Sequence, residues 1–168
     1  MERISKPTEV VAWILERLFE DPSGWDHVAS LSLLGGLTPQ QALWRPAPQR
    51  RCIWELMLHM LVWREFVARR LAGAQPDSPE SWPAAPDAAQ TSPDELQRRW
   101  QADLDRLRAT QRDLIRALKE LSETAPHPSP HFEQLPHWAA AVSIQAHDSY
   151  HLGQIAMLRG MQGLPPVE

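Results

Sequence analysis

The sequence predicts an all-α protein, a four-helix bundle with two long connections. Three observations carry this reading. Apolar residues recur at three- and four-residue steps in four long stretches, no stretch alternates as a strand would, and most of the sixteen prolines and seven glycines fall between the stretches. With 168 residues, 43% of them apolar, the chain can build one real core, so a single domain over 1–168 is expected.

The first helix is predicted at about 7–20, where Pro7 suits a first turn and Val10, Val11, Ile14 and Leu18 repeat on one side. It closes near 21–24. A shorter apolar stretch, 27–34, precedes Gly35 and Gly36, and Thr38-Pro39-Gln40-Gln41 has the cap and proline of another short helical turn. Arg45-Pro46-Ala47-Pro48 ends that turn. The strongest helix spans about 51–71, with Ile53, Leu56, Met60, Trp63, Val67 and Leu71 in one stripe and His59 beside it. Residues 73–92 are rich in proline, alanine and serine, as a surface crossover would be. Ser92-Pro93-Asp94-Glu95 then opens a helix to about 121, with a cap, a proline and two acids at the positive dipole end. After a loop at 124–136 the last helix runs over about 137–161 and stops at Gly163 and Pro165-Pro166.

Seventeen basic and twenty-one acidic residues give a net charge of −4, and the arginines are spread along helices, so nucleic acid is not an expected partner. The start MERISKPTEVVAWILERLFED meets charged residues before any long apolar run and reads as an amphipathic helix, neither signal peptide nor membrane span. A cytoplasmic location is expected. The single cysteine, Cys52, excludes an internal disulfide and reads as a small inert core residue rather than a reactive thiol.

His147 and His151 carry the chemistry. Four residues apart on a helix, their β-carbons are about 5–6 Å apart, a spacing suited to sharing one metal ion. Steps to Ile144, Ile155 and Leu158 place both rings on the apolar face, where unsatisfied imidazole nitrogens are costly. A catalytic zinc-type site takes three protein ligands and leaves one position open. His59, near the centre of a helix, is the natural third, whereas His27, His127, His131 and His137 fall in loops or at helix ends. The alternative is three separate core histidines bonded to carbonyls or carboxylates.

These residues resemble the DinB-like or YfiT-like four-helix-bundle metalloproteins over nearly the whole chain. The matching stretches are Gln41-Ala42-Leu43-Trp44-Arg45-Pro46-Ala47-Pro48, Ile53-Trp54-Glu55-Leu56-Met57-Leu58-His59, Ser81-Trp82-Pro83 and His147-Asp148-Ser149-Tyr150-His151-Leu152-Gly153-Gln154-Ile155. The resemblance implies a metal triad of His59, His147 and His151, a long crossover between the second and third helices, and a homodimer. It also implies either a thiol transferase, joining a low-molecular-weight thiol to a small-molecule electrophile, or a metal-dependent hydrolase. Thiol transfer is favoured because no cysteine or serine has a partnered base in the sequence. A non-catalytic, stress-associated metal protein and a metal-free ligand-binding bundle are the other readings. The expected cofactor is one divalent transition metal, zinc first, with nickel or iron as alternatives, since neutral imidazole accepts all of them.

Five further residues are candidates for the surroundings of the metal. Asp148 lies about 100° round the helix from His147 and reads as a solvated acid more readily than as an acceptor for a ligand imidazole. Tyr150 could offer its hydroxyl to a substrate or lie half-buried. Gln154 could bond a ligand or water, Trp63 could wall a pocket or be plain core, and Glu55 could be an additional ligand or base.

Overall fold

The computed structural model describes residues 6–21, 28–126 and 134–167. Among them are six helices: α1 (Pro7–Glu20), α2 (Ser30–Leu34), α3 (Pro39–Leu43), α4 (Ile53–Leu71), α5 (Pro93–Glu120) and α6 (Ala139–Met161). The fold is all-α, and the four long helices pack as a ring in which α4 and α1 each lie against both α5 and α6. One isolated bridge pairs Pro126 with Pro136. His27, His127, His131 and the predicted stop at 22–24 lie outside the described residues.

Local chemistry sets the helix starts. Thr38 and Gln41 form a reciprocal capping box, the Gln41 N–H donating to Thr38 Oγ1 at 3.2 Å and the Thr38 N–H donating to Gln41 Oε1 at 2.8 Å. Ser92 Oγ accepts from the Glu95 N–H at 3.3 Å. Cys52 caps α4, and burial pushes its thiol above the ordinary value, as an inert core cysteine requires.

One face differs from the periodicity. Val10 is exposed and Ile14 half-buried, while Val11, Ala12, Leu15, Leu18 and Phe19 point inward. Because α1 packs on α5 and α6 together, its buried stripe centres on Leu15 and reaches Ala12 and Phe19 on either side.

The crossover has a topological cause. Trp54 Nε1 donates to Asp103 Oδ2 at 2.8 Å and Glu65 pairs with Arg106 at 2.6 Å, so positions on α4 and α5 advance together and the two helices run parallel. After α4, whose 19 residues span about 28 Å, the chain must return the length of the bundle before α5 can start, and residues 72–92 make that return without a helix. By contrast, α6 is antiparallel to α4, which sets the middle of one helix against the middle of the other.

The core has two halves. One is built around Trp54 and Trp100, whose rings meet edge to face at 5.0 Å; the other gathers Leu15, Leu71, Leu114, Leu118 and Ile144. Arg64 stands at the seam, one turn after Leu61 of the first half and one turn before Ala68 of the second. Among the described residues, no helix is long and apolar enough to cross a membrane.

Candidate metal centre

The antiparallel contact of α4 and α6 brings His59 to His147 and His151 across 88 positions of sequence. His147 Nε2 lies 3.1 Å from His59 Nε2 and 3.2 Å from His151 Nε2, and all three ligand atoms are within 4.8 Å of one another. Metal–nitrogen bonds of about 2.0–2.1 Å in a tetrahedral site imply nitrogen–nitrogen distances of about 3.3–3.4 Å, close to these.

The outer nitrogens of His147 and His151 explain how their Nε2 atoms are aimed. His147 Nδ1 faces Asp148 Oδ1 at 3.1 Å, and His151 Nδ1 faces Gln154 Oε1 at 2.7 Å. Each acceptor holds the proton on Nδ1 and leaves a lone pair on Nε2. Lone pairs aimed at one point repel unless a cation lies between them. Burial, then the neighbouring imidazoles His147 and His151, holds His59 down to about 4, and burial also lowers His151. Both are therefore neutral at pH 7, the form that binds metal. The residues fit a divalent cation held by three imidazoles.

His59 is oriented differently. Its Nδ1 is buried without a hydrogen-bond partner among the described residues. Its ring instead stacks on Trp82 of the crossover, centroids 3.7 Å apart and planes within 6°. The Arg51 guanidinium carbon lies 4.8 Å from the same indole. The crossover thus contributes directly to the site, a role that proline-rich composition does not announce.

Asp148 corrects the reading as a solvated acid. It is fully buried and ion-paired to Arg64, itself fully buried. Arg64 also bonds Gln111, approaches Gln145 Oε1 at 3.5 Å, and lies 5.0 Å above the Phe19 ring. Gln111 passes its amide hydrogen on to the Leu15 carbonyl at 3.0 Å. A chain of buried polar contacts therefore runs from α1 and α5 through Arg64 and Asp148 to the His147 ring. The sequence signal was Arg64 itself, a charge placed three or four residues from Met60, Leu61, Val67 and Ala68.

Glu55 is also corrected, because it is neither ligand nor base at this centre. It accepts from the Cys52 N–H at 3.2 Å as part of the α4 cap and pairs with Arg45 at 2.6 Å and Arg51 at 3.5 Å. Burial alone would raise its pKa, but the Arg45 hydrogen bond, the Cys52 amide and the two arginines bring it below the usual carboxylate value. Trp63 walls the centre, its ring 6.3 Å from His59 and 6.1 Å from His147. Tyr150 is 66% exposed and touches the edge of His151 from outside, so it is neither half-buried nor in the cleft. His137 is buried just ahead of α6 and is not among the three converging histidines.

Beside His59 and His147 opens a cleft of about 760 Å³, running between α4 and α6 and bounded by Trp63, Phe66, Ile144 and, from the connecting segments, Trp82 and Leu135. Of the three histidines, His59 and His147 line it.

The model of the DinB superfamily matches residues 26–155, well over half of the chain. No curated protein and no solved structure gives a significant match. The matched span contains all three histidines, and the chain belongs to the DinB superfamily.

Proposed function

We propose that this chain is a metal-dependent enzyme of the thiol S-transferase type, joining a low-molecular-weight thiol to a small electrophile in the cleft between α4 and α6. The observation that carries it is the ligand set. Three imidazoles meet beside an open cleft, the arrangement that leaves a coordination position for a reactant, whereas a closed structural site takes a fourth protein ligand. A bound divalent ion, zinc first with nickel or iron as alternatives, would supply the Lewis acidity that lowers the pKa of a thiol. The protein's own thiol does not compete, because Cys52 is buried at the α4 cap.

The remaining work falls to named side chains. Asp148 and Gln154 fix the His147 and His151 rings, Trp82 holds His59 by stacking, and Trp63 and Trp82 give the cleft aromatic walls beside the histidines. In the reaction the thiol sulfur bonds the electrophilic carbon, the leaving group departs with its electron pair, and the thiol proton passes to water.

The test uses metal-loaded protein with cysteine, glutathione and other cellular thiols against a chloronitroarene. The expected result is metal-dependent conjugation that His147→Ala abolishes. Hydrolysis of a model ester or amide with no conjugation anywhere in the panel would replace this reading with the hydrolase.

A second copy of the chain is the proposed partner. The outward face of α6 exposes Val142, Tyr150, Met157 and Met161, and no charged side chain of α6 is exposed. Met157→Lys together with Tyr150→Lys is expected to halve the solution mass measured by light scattering; a monomeric unaltered chain would refute the pairing.

A further inference from the structure

We infer that the cleft takes a carboxylic acid with an apolar body, its carboxylate bound by Arg70 and its reacting end at the three histidines. The inference rests on the reading above for the chemistry at the metal, though not for recognition of the anion.

The cleft is polarised. Its α4 wall runs from His59 through Trp63, Phe66 and Val67 to Arg70, and the facing α6 wall supplies Ala139, Ala140, Ser143 and Ile144 ahead of His147. Among the described residues that line it, Arg70 is the one formally charged side chain and there is no carboxylate. A cationic or purely apolar occupant leaves that charge without a partner. The guanidinium is also held for a ligand: its carbon lies 5.2 Å from the Phe66 ring, while Nε is buried with no hydrogen-bond partner among the described residues. A buried donor left unpaired is costly, so this edge of the guanidinium is poised to donate to an incoming acceptor.

The carboxylate follows from charge and shape. One planar cation amid apolar walls neutralises one negative charge with two parallel hydrogen bonds, whereas a phosphate dianion would carry an uncompensated charge into the same surroundings. The length follows from the helix. Arg70 folds back over Phe66, and Phe66 lies seven residues from His59, so carboxylate and reacting atom are separated by about 10 Å. Aromatic walls at Trp63 and Phe66 match an aryl or alkyl body between the two ends.

The experiment compares 4-phenylbutyrate with the neutral 4-phenylbutyramide by calorimetry, on metal-loaded and metal-free protein and on Arg70→Gln and Arg70→Lys. The acid is expected to bind about tenfold or more tightly than the amide, a preference that persists without metal. Arg70→Gln should erase it while leaving metal content unchanged, and Arg70→Lys should restore part of it. Equal binding of acid and amide, no saturable binding of the acid, or a preference that survives Arg70→Gln and vanishes with the metal would overturn the inference. Failure of the metal reading looks different, because the metal-free protein would still discriminate acid from amide through Arg70.

Discussion

His147→Ala protein, purified without added metal, is expected to contain no bound transition metal where the unaltered chain carries it at near-stoichiometric level. His147 is the central ligand, 3.1 Å from one partner nitrogen and 3.2 Å from the other, so its loss leaves a pair too few for an open site. The affinity cost should exceed the roughly 10–100-fold that removal of an outer hydrogen-bond partner produces. His59→Ala should behave alike, and plasma mass spectrometry reads both; metal retained in either variant would end the shared-site account. The pH dependence has a definite sign. His59 is held at about 4 against an ordinary 6.5, so between those values the unfolded chain binds more protons than the folded one. Stability of the metal-free protein should therefore fall as the pH drops through this window, and bound metal should leave over the same range as protons compete for the imidazoles.

The second large effect lies away from the metal. Arg64→Met leaves the Asp148 carboxylate fully buried with its counter-charge gone, which should cost about 3–5 kcal/mol in urea denaturation of the metal-free protein. The double variant Arg64→Met with Asp148→Leu removes both charges and should recover most of that loss. It should nevertheless bind metal about 10–100-fold more weakly, because the His147 ring has lost its acceptor. A single variant that loses less than about 1 kcal/mol, or a double variant with unchanged metal affinity, would show that the pair neither supports the core nor orients the ligand.

Much of this was legible in the residues. The cap signals at Thr38 and Ser92 and the stripe through Ile53, Leu56 and Met60 located helices whose observed ends lie within a few positions of expectation, because capping and periodicity act over single turns. The three histidines were legible for a similar reason: helical spacing fixed two, and position beside an apolar stripe singled out the third. What resisted reading depended on which helices are neighbours. Nothing within α6 tells whether the side of Asp148 faces water or Arg64, since its charge partner is 84 positions away. Trp82 sits in a segment without periodicity, so only the three-dimensional path of the crossover brings it onto His59. Val10 and Ile14 were misplaced because α1 has two neighbours, and one stripe cannot describe packing on both.

The 88 positions between His59 and His147 also have a consequence for how the protein is made. During synthesis, His59 emerges long before His147 and His151, which lie on the last helix. A nascent or truncated chain lacking α6 holds His59 alone of the three converging imidazoles. Under the proposed function, metal capture would wait for the completed bundle, and an ion that bound only the native state would add its binding free energy to the stability of the finished protein.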